Sequence, residues 1–396
     1  MTKKVRLIHN GYLSARNGAN TVMRSLLDSK EEFAKFGIEI TSLTPDTLRA
    51  RSFEPNSADA RTNARRAKAK KILKSMAQYS RIAADIMIYL SELRPSKAIV
   101  SRYISSDPDS EEIVFFHSLI PCYYYLKQRK TFQKTILVCH TNGDNFKMDR
   151  TYYRALEKSF IYKKMLMMER YVIQHVDRIS FVAELAKKHF LELHPEAEEL
   201  KVSFVYNGIP DKISCVKTER ETDAIEMCCV ASVSLRKGQH FIIEALKSIP
   251  IGEIPNIHFT FIGDGPERER LQKDVQEADL TRYATFVGVS YDVDSFLYNS
   301  DAYILPSIDE GLPMAIIEAM RASLPIISTP VGGIPEMINH GVNGLLIEPS
   351  KEAVRDFIMH LDDYNWKEMG VNARKTFIEK FSIKQMVEGY AKLMSL

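Results

Sequence analysis

Two glutamates, Glu310 and Glu318, lie eight residues apart in the segment DEGLPMAIIEAM, with an apolar run between them. We predict a helix that begins at about Pro313, because proline at the first helical position loses no hydrogen bond. If residues 310 to 318 were wholly helical, the carboxylates would lie ~12 Å apart along the axis, about the reach from a ribose to a hexose across a diphosphate. Carboxylates accept hydrogen bonds from diols, and a helix start suits a diphosphate. The competing interpretation is two surface glutamates on a helix.

A cationic loop is the second candidate site. The run SLRKGQHFIIEAL places Arg236 and Lys237 after a predicted strand and before Gly238 and an amphipathic helix. A cation near a helix N-terminus is repelled by the positive end of the helix dipole. This position therefore suits Lys237 best when an anion lies between its ammonium group and the helix N-terminus. We therefore expect an anionic ligand here, and the alternative is a lysine in a solvated loop.

Glycine-containing loops follow three further predicted strands. Gly18 precedes a predicted helix in the first half of the chain, while Gly263 and Gly288 follow strands in the second half. Without a Cβ atom, the backbone at Gly18 can approach a phosphate or sugar closely. A plain turn at Gly18 is an equally good explanation. Asp292 and Asp294 precede another predicted helix, which favours a helix cap over a metal site.

The elements that position these loops are short apolar strands alternating with helices. The predicted strands are KVRLIH, IEITSLT, EIVFFH, KTILVCH, RISFV and KVSFVY in the first half and AIEMCCVASV, IHFTFIG, YATFVG, AYILPS and PIISTP in the second. This alternation is typical of βαβ units and parallel sheets, which bind ligands beyond the carboxyl ends of their strands. We predict an α/β chain with two doubly wound, Rossmann-like domains facing a cleft. Their ranges are 1–208 and 209–378, and a C-terminal helix over 379–396 is expected to pack on the first domain.

Composition excludes several classes of protein. The 396 residues carry 54 Lys and Arg against 51 Asp and Glu, a net charge of +3 that is too balanced for a nucleic-acid partner. No apolar run resembles a signal peptide or reaches the ~18 residues that span a bilayer, which predicts a cytoplasmic protein. The five cysteines show no C-x-x-C spacing and are expected to be reduced core residues.

The second half of the chain resembles a known family. The segments NG at Asn207, KG at Lys237, GDGP, VG at Gly288, PSIDEGLPMAIIEAM and EKFSIKQMVEGY, within about residues 200 to 390, are similar to those of GT-B fold retaining glycosyltransferases of family four, glycosyl transferases group 1. The first half matches through Gly18 and through His117 after EIVFF. The resemblance implies transfer of a sugar from a nucleotide sugar, most often a UDP-sugar, with no cofactor and no metal.

The resemblance also implies a role for each matching residue. Glu318 would hold the ribose hydroxyls, Lys237 the diphosphate, and Glu310 with the following amides the transferred sugar. Gly18 would approach the phosphate, and His117 would lie over the donor sugar, although a lone histidine after a strand is otherwise more often structural. The remaining donor-binding positions are Arg236, Gly263, Gly288, Val289, Gly311, Leu312 and Met314.

One position departs from the family pattern. An arginine that commonly faces the diphosphate, five residues before the lysine, is Ser232 in this chain. Losing a charge-assisted contact of ~1.5–3 kcal/mol would weaken stabilisation of the leaving group unless Arg236 compensates. The catalytic residues are expected to be His117, Lys237 and Glu310, with retention of configuration through front-face attack.

The acceptor is less constrained by sequence. A glycan or lipid-linked acceptor of a cell-surface polysaccharide is the expected partner, and residues 140–144, HTNGD, form a candidate acceptor loop. Residues 61–74, RTNARRAKAKKILK, carry seven cations and no acid, which suits either an anionic membrane surface or a solvated helix face. The alternative functions are a non-catalytic nucleotide-sugar-binding subunit and an epimerase or phosphorylase of the same fold.

Overall fold

The computed structural model describes residues 2–14, 18–49, 69, 72–212 and 223–395. The chain divides into two compact units. The N-terminal unit comprises Met1–Val205 with Val387–Leu396, and the C-terminal unit comprises Tyr206–Met386. Among the helices of the described ranges, none is both long and apolar enough to cross a membrane.

The N-terminal unit contains a parallel six-stranded sheet in the order β2-β1-β3-β4-β5-β6. Every strand predicted in the first half of the sequence is present. The bounds are β1 Lys3–Ile8, β2 Ile38–Leu43, β3 Ile113–Phe116, β4 Thr135–Cys139, β5 Arg178–Phe181 and β6 Val202–Phe204. All residues of β3 and β4 are buried, as expected for strands covered by helices on both faces.

Helices connect the strands of this unit. They are α1 Gly18–Asp28, α2 Lys30–Ala34, α3 Pro45–Arg49, α4 Arg81–Ile88, α5 Arg94–Ser105, α6 Leu119–Gln128, α7 Lys147–Tyr152, α8 Phe160–His175 and α9 Glu184–Leu193. A π-helical turn, Tyr89–Leu93, joins α4 directly to α5. Ser80 caps α4 and Ser159 caps α8, each accepting a hydrogen bond from a backbone N–H of the first helical turn.

The C-terminal unit contains a second parallel six-stranded sheet, in the order β12-β11-β10-β7-β8-β9. The bounds are β7 Ile225–Val230, β8 Ile257–Ile262, β9 Ala284–Gly288, β10 Ala302–Leu305, β11 Ile326–Ser328 and β12 Gly344–Leu346. Strand β12 was not predicted, because three residues of GLL have too little periodicity to identify a strand. The predicted class, two doubly wound α/β domains, is confirmed.

The helices of this unit are α10 Gln239–Lys247, α11 Arg268–Glu277, α12 Val293–Tyr298, α13 Met314–Arg321, α14 Ile334–Met337, α15 Lys351–Met359 and α16 Trp366–Thr376. A π-helical turn, Phe377–Phe381, precedes the last helix, α17 Ile383–Ser395. From Val387 onward α17 belongs to the N-terminal unit, where the Tyr390 ring lies 5.5 Å from the Phe115 ring between centroids.

The described cysteines are free and buried, which agrees with the prediction of reduced core residues: Cys122, Cys139, Cys228 and Cys229. Burial raises the pKa of the Cys228 and Cys229 thiols to about 12, so neither forms a reactive thiolate near neutral pH. Cys215 lies outside the described residues.

Candidate active site

Lys237 and Glu310 form an ion pair in the C-terminal unit. The Lys237 Nζ atom lies 2.5 Å from Glu310 Oε1, and both side chains are largely buried. Lys237 follows β7 and Glu310 follows β10, and these two strands are neighbours in the sheet. Since parallel strands end at the same sheet edge, residues distant in sequence meet there. The interpretation of Lys237 as a solvated loop lysine is therefore wrong.

Arg236 joins the same cluster. Its NH1 atom donates to the Asp309 carbonyl oxygen at 2.7 Å and lies 3.5 Å from Glu310 Oε2. The Ser307 hydroxyl donates to Glu310 Oε1 at 2.7 Å, so the buried carboxylate is both hydrogen-bonded and paired with cations. Sequence reasoning expected an anion beside this cation, and one anionic partner of Lys237 is the protein's own Glu310.

Backbone geometry holds the two loops of this cluster together. The Ile308 N–H donates to the Arg236 carbonyl oxygen at 2.8 Å. Gly238 adopts φ 74°, and a Cβ atom there would lie 1.8 Å from the Pro306 carbonyl oxygen. Only glycine satisfies both the left-handed conformation and this close approach.

Helix α13 begins at Met314, and Pro313 is its N-cap rather than its first residue. Glu310 therefore lies in the preceding loop, as predicted, and the helix begins one residue after the predicted start near Pro313. The N–H groups of Gly311, Leu312 and Met314 donate to no group within the described part of the chain. Three unpartnered amides next to a cationic cluster form a site that suits a phosphate.

Glu318 lies on α13 and is separate from the ion-pair cluster. Burial raises the pKa of its carboxyl to about 7, and the nearby Arg321 opposes this shift only partly. Arg321 is instead paired with the Asp294 carboxylate. The Glu318 carboxyl makes no hydrogen bond or ion pair to the described residues, so both oxygens are available to a ligand.

The glycines predicted to border a donor are brought together. The Gly263 N–H donates to the Gly288 carbonyl oxygen at 2.7 Å. Gly263 has φ 142°, and a Cβ atom there would lie 2.0 Å from the Ala231 carbonyl oxygen, beside Ser232. Ser232 and Val289 are exposed next to these glycines. Asp292 accepts a hydrogen bond from the Ser295 N–H, which confirms it as a helix cap.

His117 belongs to a histidine cluster in the N-terminal unit. Three adjacent strands of the sheet are each followed directly by a histidine: His9 after β1, His117 after β3 and His140 after β4. The Nδ1 atom of His117 lies 2.9 Å from Nε2 of His140, and burial lowers the pKa of all three imidazoles. The rings are therefore neutral near physiological pH.

A cavity of about 170 Å³ lies beside this cluster. Its lining includes Ala19, Glu92, His117, His140, Thr141 and Asp149. The Nε2 atom of His117 is buried and has no hydrogen-bond partner among the described residues. Burial raises the pKa of the Asp149 carboxyl to about 6. The cavity thus combines an imidazole and carboxyl groups with room for a small polar group.

Gly18 is the first residue of α1 and is exposed, next to Ala19 of the cavity wall. Within the candidate acceptor loop, His140 and Thr141 line the cavity, while Asp144 pairs with Arg150. Within the described ranges, no group of three or more His, Cys, Asp or Glu side chains is arranged to hold a metal ion.

Residues 213–379 match the family model described as glycosyl transferases group 1. This part of the chain is a glycosyl transferases group 1 domain. The match contains every residue of the Lys237–Glu310 cluster, together with Glu318 and the glycines at 263 and 288.

Relatives of this chain carry glycosyltransferase names. The uncharacterized glycosyltransferase MJ1178 of Methanocaldococcus jannaschii is 29% identical over 230 residues, covering 57% of this chain and 61% of the relative. The putative colanic acid biosynthesis glycosyltransferase WcaL of Salmonella typhimurium is 32% identical over 137 residues, covering 33% of each. The chain therefore aligns with less than two thirds of the length of these relatives.

The fold is GT-B. The structure of Anabaena Alr3699/HepE in complex with UDP superposes with a TM-score of 0.68 at 15% identity, covering 100% of both chains. This likeness extends over both units, whereas the group 1 domain covers only the second.

Sequence reasoning missed several residues of the two sites. Ser307 was not singled out, because a serine after a strand carries no distinctive signal, yet it bonds Glu310. His9 and Asp149 were also missed. A histidine directly after each of three strands was a signal that could have identified His9 together with His117 and His140.

Proposed function

We propose that this chain is a retaining glycosyltransferase that moves a sugar from a nucleotide sugar, most often a UDP-sugar, to a glycan or lipid-linked acceptor. The observation that carries the proposal is the cluster of Arg236 and Lys237 around Glu310, beside the unpartnered amides that follow it. The HepE structure with UDP and the colanic acid name of WcaL support UDP and a polysaccharide product.

Lys237 and Arg236 would stabilise the leaving group. A lysine has three N–H donors, and one is directed at Glu310, which leaves two for a diphosphate. Glu310 would orient both cations and accept a hydrogen bond from the transferred sugar. The amides of Gly311, Leu312 and Met314 would bind diphosphate oxygens at the positive end of α13.

The remaining donor contacts follow the family resemblance. Glu318 would accept hydrogen bonds from the ribose hydroxyls, and the backbone around Gly263, Gly288 and Val289 would border the base. In the N-terminal unit, Gly18 would approach the phosphate and His117 would contact the donor sugar. The neutral imidazole of His117, with its unpartnered Nε2 atom, is suited to hydrogen-bond a sugar hydroxyl.

The reaction would proceed with retention and without a metal. The bond between the anomeric carbon and the diphosphate breaks as the acceptor oxygen bonds to the same face of the carbon. The acceptor proton passes to an oxygen of the departing diphosphate. Lys237, Arg236 and the helix dipole would stabilise the negative charge that develops there. An inverted product, detected by NMR of the anomeric proton, would disprove this route.

We further propose that the enzyme works in the cytoplasm at an anionic membrane surface. The basic segment 61–74 motivated this idea, but of these residues only Ala69 and 72–74 lie in the described ranges.

The deciding experiment measures release of nucleoside diphosphate from UDP-, GDP- and ADP-sugars, with and without sugar and lipid-linked acceptors. Turnover with one donor should be lost in Lys237→Ala and Glu310→Gln and should persist in a chelator. Lys247→Ala is the matched control, because Lys247 is an exposed lysine at the end of α10.

Binding of a donor without turnover by any acceptor would favour the non-catalytic subunit instead. Ser232, where the family commonly has arginine, is the reason to keep that alternative. Turnover gained by Ser232→Arg would then identify the missing cation as the cause.

A further inference from the structure

Helix α4 and the π-helical turn after it expose an apolar stripe. Ile82, Ile86, Tyr89 and Leu90 share one face by their spacing, and Ile82 is 73% exposed. The opposite face is buried by Ala83, Ala84, Met87 and Ile88. The helix is therefore apolar on both sides, and only one side is covered within the described part of the chain. The stripe continues toward the N-terminus through Ile72, Met76 and Tyr79, which are also exposed.

Helix α8 extends this surface sideways. The Asp85 carboxylate accepts a hydrogen bond from the Ile161 N–H at 3.1 Å, which fixes the start of α8 against the middle of α4. Phe160, the first residue of α8, is 75% exposed. Met167 lies on the same face two turns later and is 70% exposed. We call the exposed residues of α4 and α8 the α4–α8 surface.

Cations accompany the apolar side chains of this surface. Lys163 and Lys164 lie between Phe160 and Met167 on the exposed face of α8. Over residues 72–93 and 157–170, the exposed charged side chains are Lys74, Arg81, Lys158, Lys163, Lys164, Arg170 and a single acid, Glu157. The alkyl parts of lysines can cover apolar surface while the ammonium groups reach outward.

We propose that the α4–α8 surface docks on an anionic lipid bilayer. Contiguous exposed apolar area marks an interaction site, and here it combines isoleucine, phenylalanine and methionine with tyrosines and a cationic margin. A bilayer interface offers the complementary arrangement, because acyl chains receive the apolar residues, tyrosines favour the headgroup level and lipid phosphates attract the lysines. A protein partner with an equally large apolar face would not by itself require the excess of cations. The inference concerns docking and does not depend on the transfer reaction.

The test is flotation of the full chain with vesicles of phosphatidylcholine containing phosphatidylglycerol, and with phosphatidylcholine alone. The double variant Ile82→Glu/Phe160→Glu places one carboxylate in the first turn of each helix. A negative charge there is stabilised by the positive end of the helix dipole, so the fold is expected to persist. We expect its binding to anionic vesicles to fall by about tenfold or more. The matched control is Leu200→Glu, because Leu200 is 94% exposed elsewhere in the same unit.

A second variant, Lys163→Ala/Lys164→Ala, tests the electrostatic part without adding any charge. Because two cations near the anionic surface are removed, the variant should weaken binding to anionic vesicles by about thirtyfold, or about 2 kcal/mol, and leave the weak binding to neutral vesicles unchanged. The proposal is overturned if wild type does not float, or if both multiple variants bind as well as wild type. It is also overturned if Leu200→Glu loses as much binding, or if sedimentation shows a wild-type dimer that Ile82→Glu/Phe160→Glu dissociates.

Discussion

Glu318→Gln is expected to make the protein more stable and a poorer binder of nucleotide sugars. Burial raises the pKa of the Glu318 carboxyl from 4.5 to about 7 in the folded chain. A raised pKa means that the folded state favours the protonated form. The stability from this proton is complete below pH 4.5 and is lost as the pH rises through about 7. Glutamine mimics the protonated form at every pH and should remove the loss.

The magnitude follows from the size of this shift. A tenfold change in a protonation equilibrium is about 1.4 kcal/mol, so the full difference corresponds to about 3 kcal/mol. Glu318 is only part-buried, and solvent screening reduces the expected gain to about 1–2 kcal/mol at pH 8. For a unit of this size, each kcal/mol raises the melting temperature by about 2–4 °C.

Calorimetry at pH 8 and at pH 4.5 measures this directly. We expect a higher melting temperature for Glu318→Gln at pH 8 and nearly equal values for variant and wild type at pH 4.5. Titration with UDP should show binding weakened by about tenfold or more, because an amide cannot replace both acceptor oxygens toward a diol. Equal melting temperatures at pH 8 would refute the assigned protonation, and unchanged UDP affinity would refute the ribose role. Glu244→Gln on α10 controls for simple removal of a negative charge.

Three further predictions concern stability. Lys237→Met should lower the free energy of unfolding by about 2–3 kcal/mol, because it leaves the buried Glu310 carboxylate with Arg236 as its more distant cation. In denaturant titrations, the double variant Lys237→Met/Glu310→Gln should recover most of that loss. Additive effects of the two changes would contradict this coupling. Gly238→Ala should lower the melting temperature by several degrees, because the new Cβ atom would clash with the Pro306 carbonyl oxygen. This corresponds to a loss of about 2 kcal/mol or more in the free energy of unfolding. A stability equal to that of wild type would show that the loop relaxes freely. Tyr390→Phe should leave the melting temperature unchanged or raise it slightly, because the buried Tyr390 hydroxyl has no hydrogen-bond partner among the described residues. A clear loss of stability would reveal a hydrogen bond to that hydroxyl.

The strands and the chemical character of their following loops were predictable from sequence. Apolar β-branched runs such as KVRLIH and KTILVCH are local signals, so both sheets were expected before the structure. The helix start near Pro313 was predicted to within one residue, and Glu310 lies in the preceding loop as predicted. Pro313 takes an extended conformation as the N-cap, whereas the sequence favoured it at the first helical position.

The amino-acid sequence by itself determined the alternation of strands and helices, the positions of the glycines and the charge types at each strand end, because these depend on neighbouring residues. Only the tertiary structure decided the partners. The order β11-β10-β7 makes Arg236 and Lys237 neighbours of Glu310, and the order β1-β3-β4 assembles His9, His117 and His140. Strand order depends on contacts between segments far apart in the chain. These contacts pair Glu310 with cations, whereas burial without such a partner raises the pKa of the Glu318 carboxyl and favours its protonated form.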